Sequence, residues 1–312
     1  MITVTGSLAF DHIMDYPGRF SDHIMPDKIH QINLSFLVTT LKKQKGGTAG
    51  NIAYNLALLG CPVSIVGSAG SDFAEYSEFL ERASIDVSKI KIVENEPTSS
   101  AFIMTDIADN QITAFYPGAM NDAETLSLNN TKTDLVVISP NNPKAMVKFA
   151  KECQNLGIDY MLDPGMQLPA LNPEDLKMMI ANATILIGND YEISLLKEKV
   201  SLDEQQLLTQ VKILITTLGE KGSIVQTSQK TYSIPAAKPK TTVDPTGAGD
   251  AYRAGFLAGY LKNLDLQICG QMGAVAACYT VEKYGTTTHT FTLEEFKKRY
   301  QENFGEELKY EV

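Results

Sequence analysis

A carboxylate sits at the mouth of an apolar run in Val243-Asp244-Pro245-Thr246-Gly247-Ala248-Gly249-Asp250, which leads straight into AYRAGFLAGYL. Gly247 and Gly249 permit turn conformations closed to other residues and let a ligand approach the backbone. The run that follows is apolar around much of its circumference, through Ala251, Ala254, Phe256, Leu257, Ala258 and Leu261. It predicts a buried central helix. The free N–H groups and positive dipole end of such a helix attract an anion, including a transferring phosphoryl group. Asp250, in the first turn, is placed to take a proton from an alcohol beside that anion. The same residues also fit a plainer role, in which Asp250 only stabilises the helix start.

A second glycine cluster, Gly46-Gly47-Thr48-Ala49-Gly50-Asn51, opens the helical run NIAYNLALLG. Gly6-Ser7 and Asp11 follow the first β-branched run, where ligand residues of a parallel sheet are expected. A short Asp and an Asn, which both donates and accepts, suit the vicinal hydroxyls of a sugar. A tight loop with Asn51 facing solvent is the plainer alternative. Other phosphate motifs are absent. No G-x-x-x-x-G-K-[ST] occurs, and Tyr252 occupies the third glycine position of G-x-G-x-x-G. A P-loop enzyme and a nicotinamide-dependent oxidoreductase are thereby disfavoured. A non-catalytic binding protein would have no use for a base beside an anion hole.

The elements that must position these residues alternate in type. Strand candidates are Ile2–Thr5, Val63–Val66, Leu135–Ser139, Tyr160–Leu162, Thr184–Ile187, Ile213–Thr217 and Ser223–Gln226. Helical runs are Ala49–Leu59, Phe73–Ala83, Pro143–Leu156, Pro173–Ala181, Tyr191–Lys199, Glu204–Gln210, Ala248–Leu261, Leu266–Lys283 and Leu293–Phe304. Nearly all-apolar strands between helices predict an α/β fold, a doubly wound and mainly parallel sheet with helices on both faces. Two segments break the rhythm. Asp15–Leu41 carries Pro17-Gly18 and Met25-Pro26, and Ser99–Tyr116 reads as a hairpin around Ala108-Asp109-Asn110. They would either pair into a small β lid, from approximately 12–45 and 98–117, or remain surface loops. With no linker or repeat, residues 1–312 read as one domain.

Composition narrows the partners. A formal charge of −10 over 312 residues argues against nucleic acid or an anionic membrane, which would reward excess Lys and Arg. Cys61, Cys153, Cys269 and Cys278 show no CxxC spacing and the four His are scattered, so a structural zinc is not expected. The N-terminal MITVTGSLAFD lacks a basic stretch before an apolar one, which predicts no signal peptide and a cytoplasmic protein.

DPTGAGDAYRAGFL and GGTAGNIAYNLALLG together resemble the two signatures of the ribokinase/PfkB carbohydrate kinase family. The resemblance covers essentially the whole chain. It takes in Asn189-Asp190-Tyr191-Glu192, similar to the family's N-x-x-E element, and TTLGEKGS. Within the family, the N-terminal GSLAFDHIMDYPGRFSDHIMPDKIH together with LSFLV, AFYPGAM and DPGMQLP is most like the bacterial adenosine kinases. The resemblance implies a ribokinase-like fold and phosphorylation of the adenosine 5′-hydroxyl by ATP to give AMP, as in purine salvage. Another nucleoside, or a free sugar such as ribose or fructose, is the alternative acceptor.

By position, the resemblance makes Asp250 the catalytic base and Gly247, Ala248 and Gly249 the anion hole. Ser7, Asp11, Gly47, Asn51 and Gln167 would bind the substrate, with Phe102 and Phe115 sandwiching its base. Asn189, Thr217, Gly219, Gly222 and Thr246 would approach ATP, and Glu192 would organise Mg2+ through water. Met166 stands where related kinases often carry a polar residue. A homodimer through the lid is also implied.

Overall fold

The computed structural model of the chain describes residues 1–24, 33–108 and 110–311. Met25-Pro26 and Asp109 lie outside them. Strands β1 (Ile2–Thr5), β2 (Ala9–Asp15) and β3 (Thr40–Gly46) precede helix α1 (Thr48–Leu58). Then come β4 (Val63–Gly70), α2 (Ala74–Arg82), β5 (Asp86–Val93), β6 (Ser99–Thr105) and β7 (Gln111–Tyr116). The next units are β8 (Leu135–Ile138), α3 (Pro143–Leu156), β9 (Tyr160–Leu162), α4 (Pro173–Ile180) and β10 (Ile185–Asn189). After α5 (Asp190–Val200) and α6 (Glu204–Gln210) come β11 (Ile213–Thr217), β12 (Ser223–Gln226) and β13 (Thr231–Ile234). Helices α7 (Ala248–Leu261), α8 (Leu266–Val281) and α9 (Leu293–Phe304) close the chain.

The main sheet runs β13-β12-β11-β10-β9-β8-β1-β4-β5. It is parallel from β11 to β5, with β12 and β13 antiparallel at one edge. Alternation along its strands builds two cores. Leu135, Val137, Ile185, Ile187, Ile213 and Ile215 pack toward α1, α2 and α7. Val136, Ile138, Leu186 and Leu214 pack with α3, α4, α5 and α6. The expected two-sided covering by helices is therefore present.

The strands at the two ends of the first excursion, β2 and β3, pair with the hairpin β6-β7 in a second sheet, β3-β2-β6-β7. In it β2 and β6 are parallel, and the other two pairings are antiparallel. The sequence reading missed β2, β3, β5 and β13. β5 lies at the edge of the main sheet, and a register irregularity before Lys89 breaks its two-residue alternation. β2 and β3 carry polar and charged residues on both faces, β2 being mostly half-buried and β3 exposed from Leu41 to Lys43.

Candidate active site

The N-terminus of α7 is a built turn. Gly247 adopts the left-handed conformation (φ 79°), and a β-carbon there would lie 2.9 Å from Thr286 Cγ2. Thr246 N–H donates to Asp244 Oδ1 at 2.9 Å and Ala248 N–H to the Pro245 carbonyl at 3.2 Å. The N–H groups of Gly247, Gly249 and Asp250 have no acceptor among the described residues. Of the three N–H groups expected to face an anion, Ala248's is thus turned back into the helix start, and Asp250's is open in addition.

Helix α1 brings the second cluster to the same place. Gly47 has φ 87°, and a β-carbon on it would meet the Ser7 carbonyl at 2.5 Å and Ala9 N at 2.7 Å, so β1, β2 and α1 converge there at backbone distance. Ser7 Oγ accepts the Thr48 N–H at 3.1 Å. The hydroxyl expected near the sugar therefore also caps α1 from across the turn. One turn in, Asn51 donates through Nδ2 to Asp250 Oδ2 at 2.8 Å. This contact joins the two glycine motifs into one site. Asn51 Oδ1 is buried with no hydrogen-bond partner among the described residues. Behind it, Asn55 Nδ2 donates to the Asn51 carbonyl at 2.9 Å, and His289 Nε2 lies 2.9 Å from Asn55 Oδ1.

Asp11 lies on β2 with its carboxylate over Gly46, where a β-carbon would be 2.3 Å from Oδ2. Loss of water around Asp11, then the neighbouring Asp244 charge, raises its pKa to about 6. Asp250 keeps some exposure to the cleft, but burial also raises its pKa to about 6, against the lowering pull of Arg253 and the Asn51 hydrogen bond. Burial, then Asp11 and Asp250, pushes the Tyr76 phenol upward, which keeps it neutral between the two acids. Two carboxylates of elevated proton affinity thus face one cleft, a pattern common where charge chemistry is performed.

Beyond the α7 turn opens a cavity of about 610 Å³. Thr217, Gly219, Gly222, Ala248 and Gly249 line it, together with Lys238, Thr242, Tyr252 and Cys278. The segment from Ala236 to Thr242 and the α8 residues gave no sequence signal as lining groups, because small and apolar residues in a loop or helix look like packing. Asn189 and Thr217 are register partners at the carboxyl ends of β10 and β11. Asn189 and Glu192 also form a reciprocal capping box. The Glu192 N–H donates to Asn189 Oδ1 and the Asn189 N–H to Glu192 Oε2, each at 2.8 Å. The N-x-x-E spacing therefore has a helix-starting job of its own. Thr246 is exposed, and Gln167 lies partly exposed on the short turn after Pro164, beside the exposed Met166.

The aromatic sandwich expected of Phe102 and Phe115 is corrected by register. Phe102 pairs with Ala114, and Phe115 with Ala101. One residue of offset sends their side chains to opposite faces of the second sheet. Phe115 shares the face of Asp11 and Ala101, whereas Phe102 shares that of His12 and stacks on it at 4.8 Å. A single chain cannot close both rings on one base.

Residues 4–292 match the family model "pfkB family carbohydrate kinase". The fold and the match make the chain a kinase: it belongs to the pfkB family of carbohydrate kinases. It is 33% identical over 304 residues to the nucleoside kinase of Methanocaldococcus jannaschii, with 97% of each chain covered. That protein's crystal structure superposes with a TM-score of 0.89, over 96% of this chain and 98% of the other. The nucleoside kinase of Burkholderia thailandensis in complex with inosine superposes with a TM-score of 0.91 at 33% identity, covering 98% of this chain and 99% of that one. Among the described residues no helix is long and apolar enough to cross a membrane. Nor do they contain a group of three or more His, Cys, Asp or Glu that could hold a metal ion.

Proposed function

We propose that the chain transfers the γ-phosphoryl group of ATP to the 5′-hydroxyl of a purine nucleoside, with adenosine the foremost acceptor and AMP the product. The observation that carries this reading is the 2.8 Å contact between Asn51 and Asp250, which sets a sugar-type donor beside a base at an anion-seeking helix end. Asp250 accepts the hydroxyl proton as the oxygen attacks phosphorus. The open N–H groups of Gly247, Gly249 and Asp250 stabilise charge on the phosphoryl oxygens, and ADP leaves into the cavity lined by Gly219 and Gly222. Asp11 and the free Oδ1 of Asn51 hold the ribose hydroxyls, which keeps attack in line. The second sheet acts as a lid that excludes water, the competing acceptor.

A magnesium ion fits this donor set as one carried by ATP. Mg2+ retains waters and takes one or two carboxylates plus phosphates, and the described residues offer no denser cluster. Glu192, with Oε2 engaged by Asn189, would hold it through water by Oε1. Bound there, the ion would neutralise charge on the phosphates.

A second reading, with inosine or another nucleoside as preferred acceptor, is favoured by the inosine complex of the Burkholderia thailandensis relative. Phe115 discriminates both readings from a free-sugar kinase. A base stacked on it contributes about 1–3 kcal/mol by analogy with other base–aromatic contacts. Phe115→Ala should therefore raise KM for the preferred nucleoside by about one to two orders of magnitude. Phe102, on the other face, should leave that KM nearly unchanged when replaced by alanine. Its face also exposes Leu41, Phe102 and Ile112, which supports pairing of two lids in a homodimer. Phe102→Ala should weaken self-association in sedimentation. Steady-state series with adenosine, inosine, cytidine, ribose and fructose test all of this. Efficient use of a free sugar with every nucleoside inert would overturn the proposal.

The pH profile is a further check. Asp11 and Asp250 are both raised to about 6, and both must be ionised to act. At saturating ATP, log kcat/KM for the nucleoside should fall below pH 6 with a slope approaching two, as expected for coupled acids. A single-proton limb near pH 4 would count against this assignment.

A further inference from the structure

Arg253 lies one turn beyond Asp250 on α7 and is only 7% exposed. A cation so near a helix N-terminus opposes the dipole, so anions must offset it. Its Nε lies 2.6 Å from Oδ2 of Asp163, a residue just after β9 that is 2% exposed. The guanidinium runs back along the helix. A β-carbon on Gly249 would lie 2.8 Å from Arg253 Nη1, which puts the cation beside the turn that bears Asp250. Around Asp250 stand Arg253 on its own helix, Asp163 after β9 and Asp11 on β2. The uncharged Asn51 on α1 and the Tyr76 phenol on α2 complete its surroundings, while Glu192 on α5 acts on Asp163 and Arg253.

We infer that the Asp163–Arg253 pair is a positioning unit for phosphoryl transfer: Asp163 holds the guanidinium against the first turn of α7, where its charge keeps Asp250 a carboxylate. The geometry asks for such a unit. Three carboxyl groups and one cation share a region poor in water, and without the cation the base would hold its proton. Burial works against the Arg253 charge, but Asp163 and Asp250 outweigh it and raise its pKa, so the cation persists. Arg is suited to the task because it does not deprotonate in proteins and presents a rigid fork.

The inference rests on Asp250 being the base, so two readouts are paired on the full-length protein. One is the acid limb of kcat against pH. The other is the carbon-13 carboxyl titration of Asp250 without substrate, assigned by loss of its signal in Asp250→Asn. Arg253→Met should raise the Asp250 midpoint by about one pH unit or more, the scale of losing a nearby opposite charge. Asp163→Asn keeps an oxygen that accepts from the guanidinium, so Arg253 stays in place while a repelling charge is removed; it should lower the midpoint, and the kcat limb should follow both. Arg253→Lys should stay between Met and wild type. A pair that only packs the core would lower Tm in both variants and leave the midpoint in place. Midpoints that are unmoved, or that move the same way in both variants, overturn the inference. If Arg253→Met does not fold, the near-isosteric Asp163→Asn decides alone, and an unmoved or raised midpoint refutes it. Midpoints that shift as expected while the kcat limb stays put support the electrostatic unit and reject Asp250 as the base.

Discussion

Asp250→Asn is expected to cut turnover by about a hundredfold or more, the scale of general-base loss, while making the protein more stable at pH 8. Both outcomes follow from the same carboxylate. Its pKa in the folded chain is about 6, above the ordinary 3.8, so the fold favours its protonated form. That contribution to stability is complete below about pH 4 and is lost as the pH rises through 6. At pH 8 the ionised group therefore costs stability on the order of 3 kcal/mol, which a neutral amide of the same shape does not. Unfolding entropy in a chain of 312 residues spreads each kcal/mol over about 1.5 °C. Tm of the variant should accordingly rise by about 4–5 °C at pH 8 and change little at pH 4. Near-wild-type turnover would reduce Asp250 to a helix-start residue. An unchanged Tm difference between the two pH values would show that the carboxylate is not held at raised proton affinity.

Replacing the other acid should separate the two substrates. Asp11→Ala removes a carboxylate that accepts from two ribose hydroxyls in the proposed complex, each such bond being worth about 1.5–3 kcal/mol. kcat/KM for the nucleoside should fall by about two to four orders of magnitude, with KM for ATP within a factor of about two. The contrast follows from position. Asp11 stands on β2 over Gly46, whereas the cavity proposed for ATP is lined from β11, the segment before α7, α7 itself and α8. Asp11 also raises the Asp250 pKa, so the remaining acid limb should shift to lower pH and lose its second proton. Equal damage to both substrates would mean that Asp11 is misassigned. Isothermal titration with each substrate, alongside the kinetics, distinguishes the cases.

The parts of this protein written locally were legible in its residues. Each glycine cluster precedes a helical period, so α1 and α7 start where the sequence places them to within a residue. The β-branched runs became β1, β9, β11 and β12 with unchanged limits. Continuous apolar runs of this kind are a strong signal because a strand covered by helices on both sides buries both faces. Strands with a solvated face or a bulge, such as β2, β3 and β5, lacked that signal.

What the sequence by itself determined is therefore the helices, the doubly buried strands of the main sheet, the two turns and the chemical types gathered at them. Those features depend on neighbours a few residues apart, through backbone conformation and burial period. Only the tertiary structure decided which groups meet. Asn51 and Asp250 touch across 199 residues because α1 and α7 pack on the same side of the main sheet. Arg253 reaches Asp163 because the end of β9 lies under α7. Phe102 and Phe115 part company because strand pairing sets them one residue out of step, and a pleated strand turns that step into opposite faces. Strand order and register are collective outcomes of the whole sheet, and no local pattern specifies them.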